Sequence, residues 1–226
     1  GTRMHVSSMP KQFLPLRGKP IIIHTLEKML ACNKFHAVYL GVHPSWMSYM
    51  YDLLDKYNIE TDRVRLAQGG ETRNGTIFKI IDEIKRDYGE NDDDIIVTHD
   101  AVRPFVTLRI IEENIAAAET YGACDTVVCA TDTIVRSENG EEISEIPNRE
   151  FMYQGQTPQS FKIKLLKELY SQLTNEEKET LTDACKICVI KNVPVKLIKG
   201  ETLNMKITTV NDYEIAEVIA GGIKLD

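Results

Sequence analysis

The sequence lacks an excess of positive charge. Its 226 residues carry 27 Lys and Arg against 34 Asp and Glu, a formal net charge of −7. That balance argues against a general nucleic-acid binder, whose footprint is basic. It leaves room for a small anionic substrate, because a local cluster of Arg and Lys serves that purpose inside an acidic protein. No apolar run approaches the roughly 18 residues of a membrane span, so no membrane partner is expected. No secretory signal is recognisable. A Walker sequence is missing, so any phosphate site here is not a P-loop. Internal repeats and low-complexity tracts are missing too, which leaves a single domain over residues 1–226 as the expectation. Cysteine is sparse. The five, Cys32, Cys124, Cys129, Cys185 and Cys188, are odd in number and scattered, which fits a reducing cytoplasm better than a disulfide framework. Cys185 and Cys188 have C-x-x-C spacing, but no second pair of zinc ligands stands nearby. They read as buried structural thiols.

What is present is alternation. Helical spacing of apolar residues covers Ile21 to Ala31, Pro44 to Tyr57, Asn74 to Tyr88 and Leu108 to Thr120. Between these lie short β-rich runs at Ala37 to Val42, Val64 to Ala67, Ile95 to Val97 and Asp125 to Ala130. Strand–helix alternation calls for an α/β fold, a Rossmann-like, mostly parallel sheet flanked by helices. From Thr131 the pattern changes. Two short β-like runs around Asn139-Gly140 read as a protruding β-hairpin arm, about 131–148. An isolated hairpin is marginal in water, so the arm is expected to pack on a second copy of the chain. Beyond it, helices are expected from Lys162 to Leu173, near Glu176 to Cys188 and from Asn211 to Ile223, with a strand at Val195 to Ile198.

The chain is organised around Asp94 to Pro104. Ile95, Ile96 and Val97 suit a fully buried parallel strand, which stops at Thr98-His99-Asp100. Ligands in open α/β sheets sit beyond the carboxyl ends of the strands. Asp100 is therefore placed to hold a divalent metal over a bound phosphate, in preference to capping the helix near Thr107. His99 is either a general base or a neutral strand-end histidine. Gly1, Arg3 and Lys11 form a weaker constellation, a glycine beside cations where backbone N–H groups can approach phosphate. Gly69 to Thr76 pairs two glycines at a strand end with a hydroxyl at a helix mouth, which suits a base or ribose; Thr72 or Asn74 capping that helix is the plain alternative. Asp132, Thr133, Arg149, Thr157, Asp183 and Lys206 sit in polar stretches near element ends. Singly, each is better read as a solvated residue.

Taken together and in order, several stretches resemble the sugar-alcohol-phosphate cytidylyltransferases, which share the fold of the nucleotide-diphospho-sugar transferases. They are Gly1-Thr-Arg-Met with Pro10-Lys-Gln-Phe, Gly69-Gly-Glu-Thr-Arg, His99-Asp-Ala-Val-Arg-Pro, Gln156-Thr-Pro-Gln, Thr182-Asp-Ala and Asn204-Met-Lys-Ile-Thr. The resemblance implies transfer of CMP from CTP to a polyol phosphate, with Mg²⁺ or another divalent cation on Asp100. It implies Arg3, Lys11 and Lys206 at the reacting phosphates. Gly1, Thr2, Gly69, Gly70, Arg73, Thr76, Asp100 and Ala101 would hold the nucleotide, and Asp132, Thr133, Arg149 and Thr157 the acceptor. It implies a homodimer through the arm, and a pathway enzyme that makes the polyol phosphate. Within the family, Tyr153 to Phe161 and Leu181 to Ile187 look more like the ribitol-phosphate branch than the methylerythritol-phosphate branch. A non-catalytic nucleotide-binding regulator is the alternative of another class; Arg3, Lys11, Asp100 and Lys206 argue against it. The family's glycine-rich loop follows a strand and Ala-Gly-Gly. The resemblance thus implies a first strand and the start of that loop ahead of residue 1, about a dozen residues.

Overall fold

The computed structural model describes residues 9–59 and 62–222. A hairpin of β1 (Pro15–Leu16) and β2 (Lys19–Pro20) turns at Arg17 and Gly18, both at positive φ. Then follow α1 (Ile21–Leu30), β3 (Val38–Val42), α2 (Met47–Lys56), β4 (Val64–Gln68) and α3 (Arg73–Tyr88). Next come β5 (Ile95–Thr98), α4 (Leu108–Tyr121) and β6 (Ala123–Cys129). The last part holds β7 (Tyr153–Lys162), α5 (Ile163–Ser171), α6 (Asn175–Glu179), α7 (Cys185–Ile190), β8 (Lys196–Lys199) and α8 (Val210–Ala220). The fold is α/β, with sheets flanked by helices, as the alternation implies.

The apolar spacing explains the layers. Ile95 and Val97 pack towards Met29 of α1 and Ile110 and Ile111 of α4. Ile96, one residue out of phase, packs on the opposite face with Ile77 and Ile81 of α3, Phe161 of β7 and Leu166 of α5. That is the two-residue period of a strand covered on both faces. Thr72 caps α3 by accepting from the Gly75 N–H, and α3 and α4 end at Gly89 and Gly122, both at positive φ.

Four expectations need correction. Met152 to Gln159 carried no element in the sequence reading, yet it opens the ten-residue β7, which lies between β5 and β6 in the order β5-β7-β6-β8. In consequence β5 pairs antiparallel with β7 rather than with a parallel neighbour, while β6–β8 and β3–β4 are parallel. The helix expected near Glu176 to Cys188 is two, α6 and α7, because Asp183 between them accepts from the Lys186 N–H and starts a new helix. The arm is not a regular hairpin. It keeps one bridge, Arg136 with Glu145, and a turn in which the Asn139 side chain accepts from the N–H groups of Glu141 and Glu142. Its Val135, Ile143 and Ile146 are exposed.

Among the described residues, β3 is paired only on its β4 side and β5 only on its β7 side. Between them lies an apolar cleft of about 370 Å³, walled by Val38 to Gly41 and Ile95 to Thr98, floored by α1 and covered by α3. Arg73, Thr76, His99 and Asp100 also line it, so the cleft extends to the end of β5.

Candidate active site at the end of β5

Asp100 stands just past β5 and meets three cations. Its Oδ1 lies 3.7 Å from Nε of Arg73, and its Oδ2 lies 3.2 Å from Nε of Arg103 and 3.0 Å from Nζ of Lys206. Each cation comes from a different element. Arg73 is the first residue of α3, Arg103 belongs to the turn after β5, and Lys206 follows β8. Arg103 is 8% exposed, and its Nη1 donates to the Asn204 carbonyl at 2.7 Å. Asn204, fully buried, donates in turn to Gln156 Oε1 and to the Thr157 carbonyl. The Ile207 N–H donates to the Val102 carbonyl, so the segment bearing Lys206 is pinned to the turn bearing Arg103. Burial works to raise the pKa of Asp100, but Lys206, Arg73 and Arg103 outweigh it and hold the carboxyl below its ordinary value.

His99 has both ring nitrogens engaged. Nε2 faces the Arg103 carbonyl at 3.1 Å and Nδ1 faces Thr157 Oγ1 at 2.9 Å. A carbonyl only accepts, so Nε2 carries the proton and Nδ1 accepts from the threonine hydroxyl. That hydroxyl also accepts from the Asp100 N–H at 3.1 Å. Burial pushes the imidazole down to about 4, against the pull of the Arg103 carbonyl and of Asp100. Of the two readings of His99, the structure supports the neutral strand-end histidine. It is a strut, with Thr157 as its hydrogen-bond partner.

The glycine stretch closes on itself. The Gly70 N–H donates to Thr76 Oγ1, whose hydroxyl donates to the Thr72 carbonyl. A Cβ at Gly70 would lie 2.7 Å from the Gly75 carbonyl carbon and 2.8 Å from the Thr76 nitrogen. Glycine is required there by close backbone approach. Thr72 caps α3, so the plain alternative holds for that residue. Lys79 Nζ reaches the Gly69 carbonyl, and Thr25 donates to the Ala101 carbonyl. Gly70, Arg73, Thr76, Asp100 and Ala101 thus gather about one end of the sheets.

Of the other expected residues, Gly1, Thr2 and Arg3 lie outside the described residues. Lys11 is half-buried in a 3-10 turn, and its charge acts on Asp212 at the start of α8. Asp132, Thr133 and Arg149 are exposed on or beside the arm. Arg149 donates to the Thr131 carbonyl at 2.9 Å. None of these three makes a hydrogen bond or ion pair with Asp100, Arg103 or Lys206. Conversely, Arg103, Asn204 and Gln159 belong to the site and were not singled out. Their signal lay in the quoted motifs, but a buried arginine or amide is indistinguishable from a surface one in a single sequence.

Among the described residues, no group of three His, Cys, Asp or Glu side chains is placed to cage a metal. One carboxylate already flanked by three cations does not suit a resident ion. It does suit a magnesium ion that arrives with a triphosphate, since such ions take one or two carboxylates plus substrate phosphates. Lys206, the most exposed of the three cations, has room to leave Oδ2.

The model of the family of 2-C-methyl-D-erythritol 4-phosphate cytidylyltransferase matches residues 1–221. The chain belongs to that family. It is a CTP-dependent cytidylyltransferase, and the resemblance read from the motifs is correct at that level. Solved structures agree in fold. A 4-diphosphocytidyl-2C-methyl-D-erythritol synthase from Anaerococcus prevotii is 22% identical with a TM-score of 0.79, covering 96% of this chain and 93% of that one. The 2-C-methyl-D-erythritol 4-phosphate cytidylyltransferase of Thermus thermophilus is 24% identical with a TM-score of 0.73, covering 96% and 97%. That of Francisella tularensis is 24% identical with a TM-score of 0.77, covering 92% of each chain. The lean towards the ribitol-phosphate branch is not supported, since the matching family model and these structures carry methylerythritol-phosphate names. Tyr153 to Phe161 is most of β7, and Leu181 to Ile187 is the junction that starts α7.

The neutral His99 has a pH consequence. Unfolded histidine takes its proton near pH 6.5, whereas folded His99 takes it near 4. Its contribution to stability is therefore complete above about pH 6.5 and declines as pH falls towards 4. Asp125, lifted by burial to about 6, works in the opposite direction over an overlapping range. Melting temperatures of wild type and His99→Gln across pH 4–8 separate the two. The gap between them should be widest above 6.5 and narrow on acidification. A gap independent of pH would show that His99 protonates as readily in the folded chain as outside it.

Proposed function

We propose that the chain transfers CMP from CTP to 2-C-methyl-D-erythritol 4-phosphate. The observation that carries the reading is Asp100 with Arg73, Arg103 and Lys206 at the strand end, in a chain whose family is that of the methylerythritol-phosphate enzymes. The acceptor phosphate oxygen attacks the α-phosphorus of CTP. The bond from that phosphorus to the bridging oxygen of the β-phosphate breaks, and pyrophosphate leaves with its electron pair. A phosphate dianion needs no proton removed, which agrees with a histidine whose nitrogens are both occupied. The protein's task is positioning and charge neutralisation. Lys206, exposed, faces the reacting phosphates; Arg103, held by the Asn204 carbonyl, forms the floor. Asp100 would hold a magnesium ion that arrives with the triphosphate, and the ion would supply positive charge there. Gly70 and Thr76 shape the mouth for the base and ribose. By resemblance alone, Arg3 and Lys11 add positive charge at the leaving group.

The arm supports a shared site. Val135, Ile143 and Ile146 are exposed on it with no apolar cover from the described residues of this chain. A two-fold dimer supplies that cover and carries Asp132, Thr133 and Arg149 to the neighbour's nucleotide. Four of the five cysteines are buried and unpaired, in keeping with the cytoplasm.

Turnover with CTP should be faster, as kcat/KM, for methylerythritol phosphate than for D-ribitol 5-phosphate; the reverse order would reassign the acceptor and leave the transferase standing. Lys206→Ala should lower turnover at least a hundredfold, since losing one preorganised cation at developing phosphate charge costs about 3 kcal/mol. Mixing Lys206→Ala with Arg149→Ala chains after dissociation tests the arm. Heterodimers form about half of the randomly paired population, so about a quarter of sites should be intact. Activity no higher than that of the parents would confine acceptor binding to one chain.

A further inference from the structure

We infer that Gln159 is a positioning residue for Arg73, and that Asp125 sets the direction in which the Gln159 amide points. The inference deepens the transferase reading and rests on it for its use in catalysis. Gln159 lies on β7 directly opposite Thr98 of β5 on one side and Asp125 of β6 on the other. It is 2% exposed. Its Oε1 accepts from Arg73 Nη1 at 3.1 Å, and its Nε2 donates to Asp125 Oδ1 at 3.1 Å.

An amide between a cation and a carboxylate has one favourable orientation. Turned over, it would set its NH₂ against a guanidinium and its carbonyl against a carboxylate, both unfavourable and both in a buried place. Asp125 is held mainly in its ionised form at neutral pH although burial lifts it, and Asp183 and Arg73 are the charged groups that act on it. The Thr98 hydroxyl donates to the Gln159 carbonyl, so the main chain at this position is fixed as well.

Arg73 needs this support. Its contact with Asp100 is long, 3.7 Å, and it sits in the first turn of α3, where its side chain is a third exposed. Gln159 gives the guanidinium a second anchor, on Nη1 rather than Nε. The result is a line of contacts from Asp125 through Gln159 and Arg73 to Asp100, crossing from β6 to β7 to α3 to the end of β5. Gln159 touches no reacting atom in this arrangement. It keeps Arg73 against Asp100 and so keeps the carboxylate aimed at the nucleotide phosphates.

The test reads the relay without substrate and with it. In the wild-type chain, nitrogen NMR should show hindered rotation of the Arg73 guanidinium; a freely rotating group would overturn the inference, whatever the variants do. Gln159→Met, close in shape and without the amide, should free that rotation. It should also raise KM for CTP about tenfold with a smaller change in kcat, and add nothing further in an Arg73→Met background. An Arg73 guanidinium still hindered in folded Gln159→Met, or losses that multiply in the double variant, would show that Gln159 only packs the sheet. If wild type does not turn over CTP, the transferase reading fails, and the guanidinium rotation in wild type and Gln159→Met still decides the relay.

Discussion

One carboxylate holds three cations together at the carboxyl end of β5. Without Asp100, the charges of Arg73, Arg103 and Lys206 would face one another in a largely desolvated space, where interactions between charges are several times stronger than in water. Arg103 depends on it most. It is buried, and its remaining bond is to the Asn204 carbonyl. Breaking one side of such a buried pair costs several kcal/mol because the other charge is left uncompensated. Phosphate oxygens offer the same cations an alternative counter-charge. On the proposed function, nucleotide binding is an exchange, in which Lys206 and its neighbours share their charge between Asp100 and the triphosphate.

The rest of the molecule brings those four groups to one place. β5, covered on both faces, ends at Thr98, and the next two residues enter the site. β7 runs antiparallel beside it and supplies Thr157 and Gln159 from positions opposite or next to the strand end. Asn204 ties the later segment to the turn after β5. His99 and Thr157 lock the Asp100 N–H, so the direction of the carboxylate is set by the main chain as well as by its ion pairs. Phosphoryl chemistry that relies on positioning needs this rigidity more than it needs an acid or a base.

Most elements of the fold were legible because their apolar spacing is strong. The helix at Ile21, the strand at Val38 and the helix from Arg73 to Tyr88 lie within a residue or two of the expected bounds. β7 was not legible. Tyr153 to Lys162 carries Gly155, Pro158 and three glutamines, all of which read as loop, and tertiary pairing on both sides overrides that composition. The arm was legible as an excursion but not as a structure, since its one bridge is fixed by side-chain turns around Asn139. At the site, Asp100 and Lys206 were found through motif and strand-end position. The network of Arg103, Asn204, Gln159 and Asp125 was not, because it joins residues from four separate stretches and exists only once β7 is in place. The ribitol-phosphate lean is not supported, while the family model carries the methylerythritol-phosphate name.

The exchange of counter-charge at Asp100 is open to a direct measurement, the melting temperature of wild type and Asp100→Asn with and without inorganic pyrophosphate. The account predicts that the substitution lowers the melting temperature of the free protein, because three cations lose their shared partner. It also predicts that pyrophosphate raises the melting temperature of the variant more than that of wild type, since the ligand replaces the missing charge. A variant as stable as wild type, or one that gains no more from pyrophosphate, would contradict the claim that Asp100 and the phosphates compete for the same three cations.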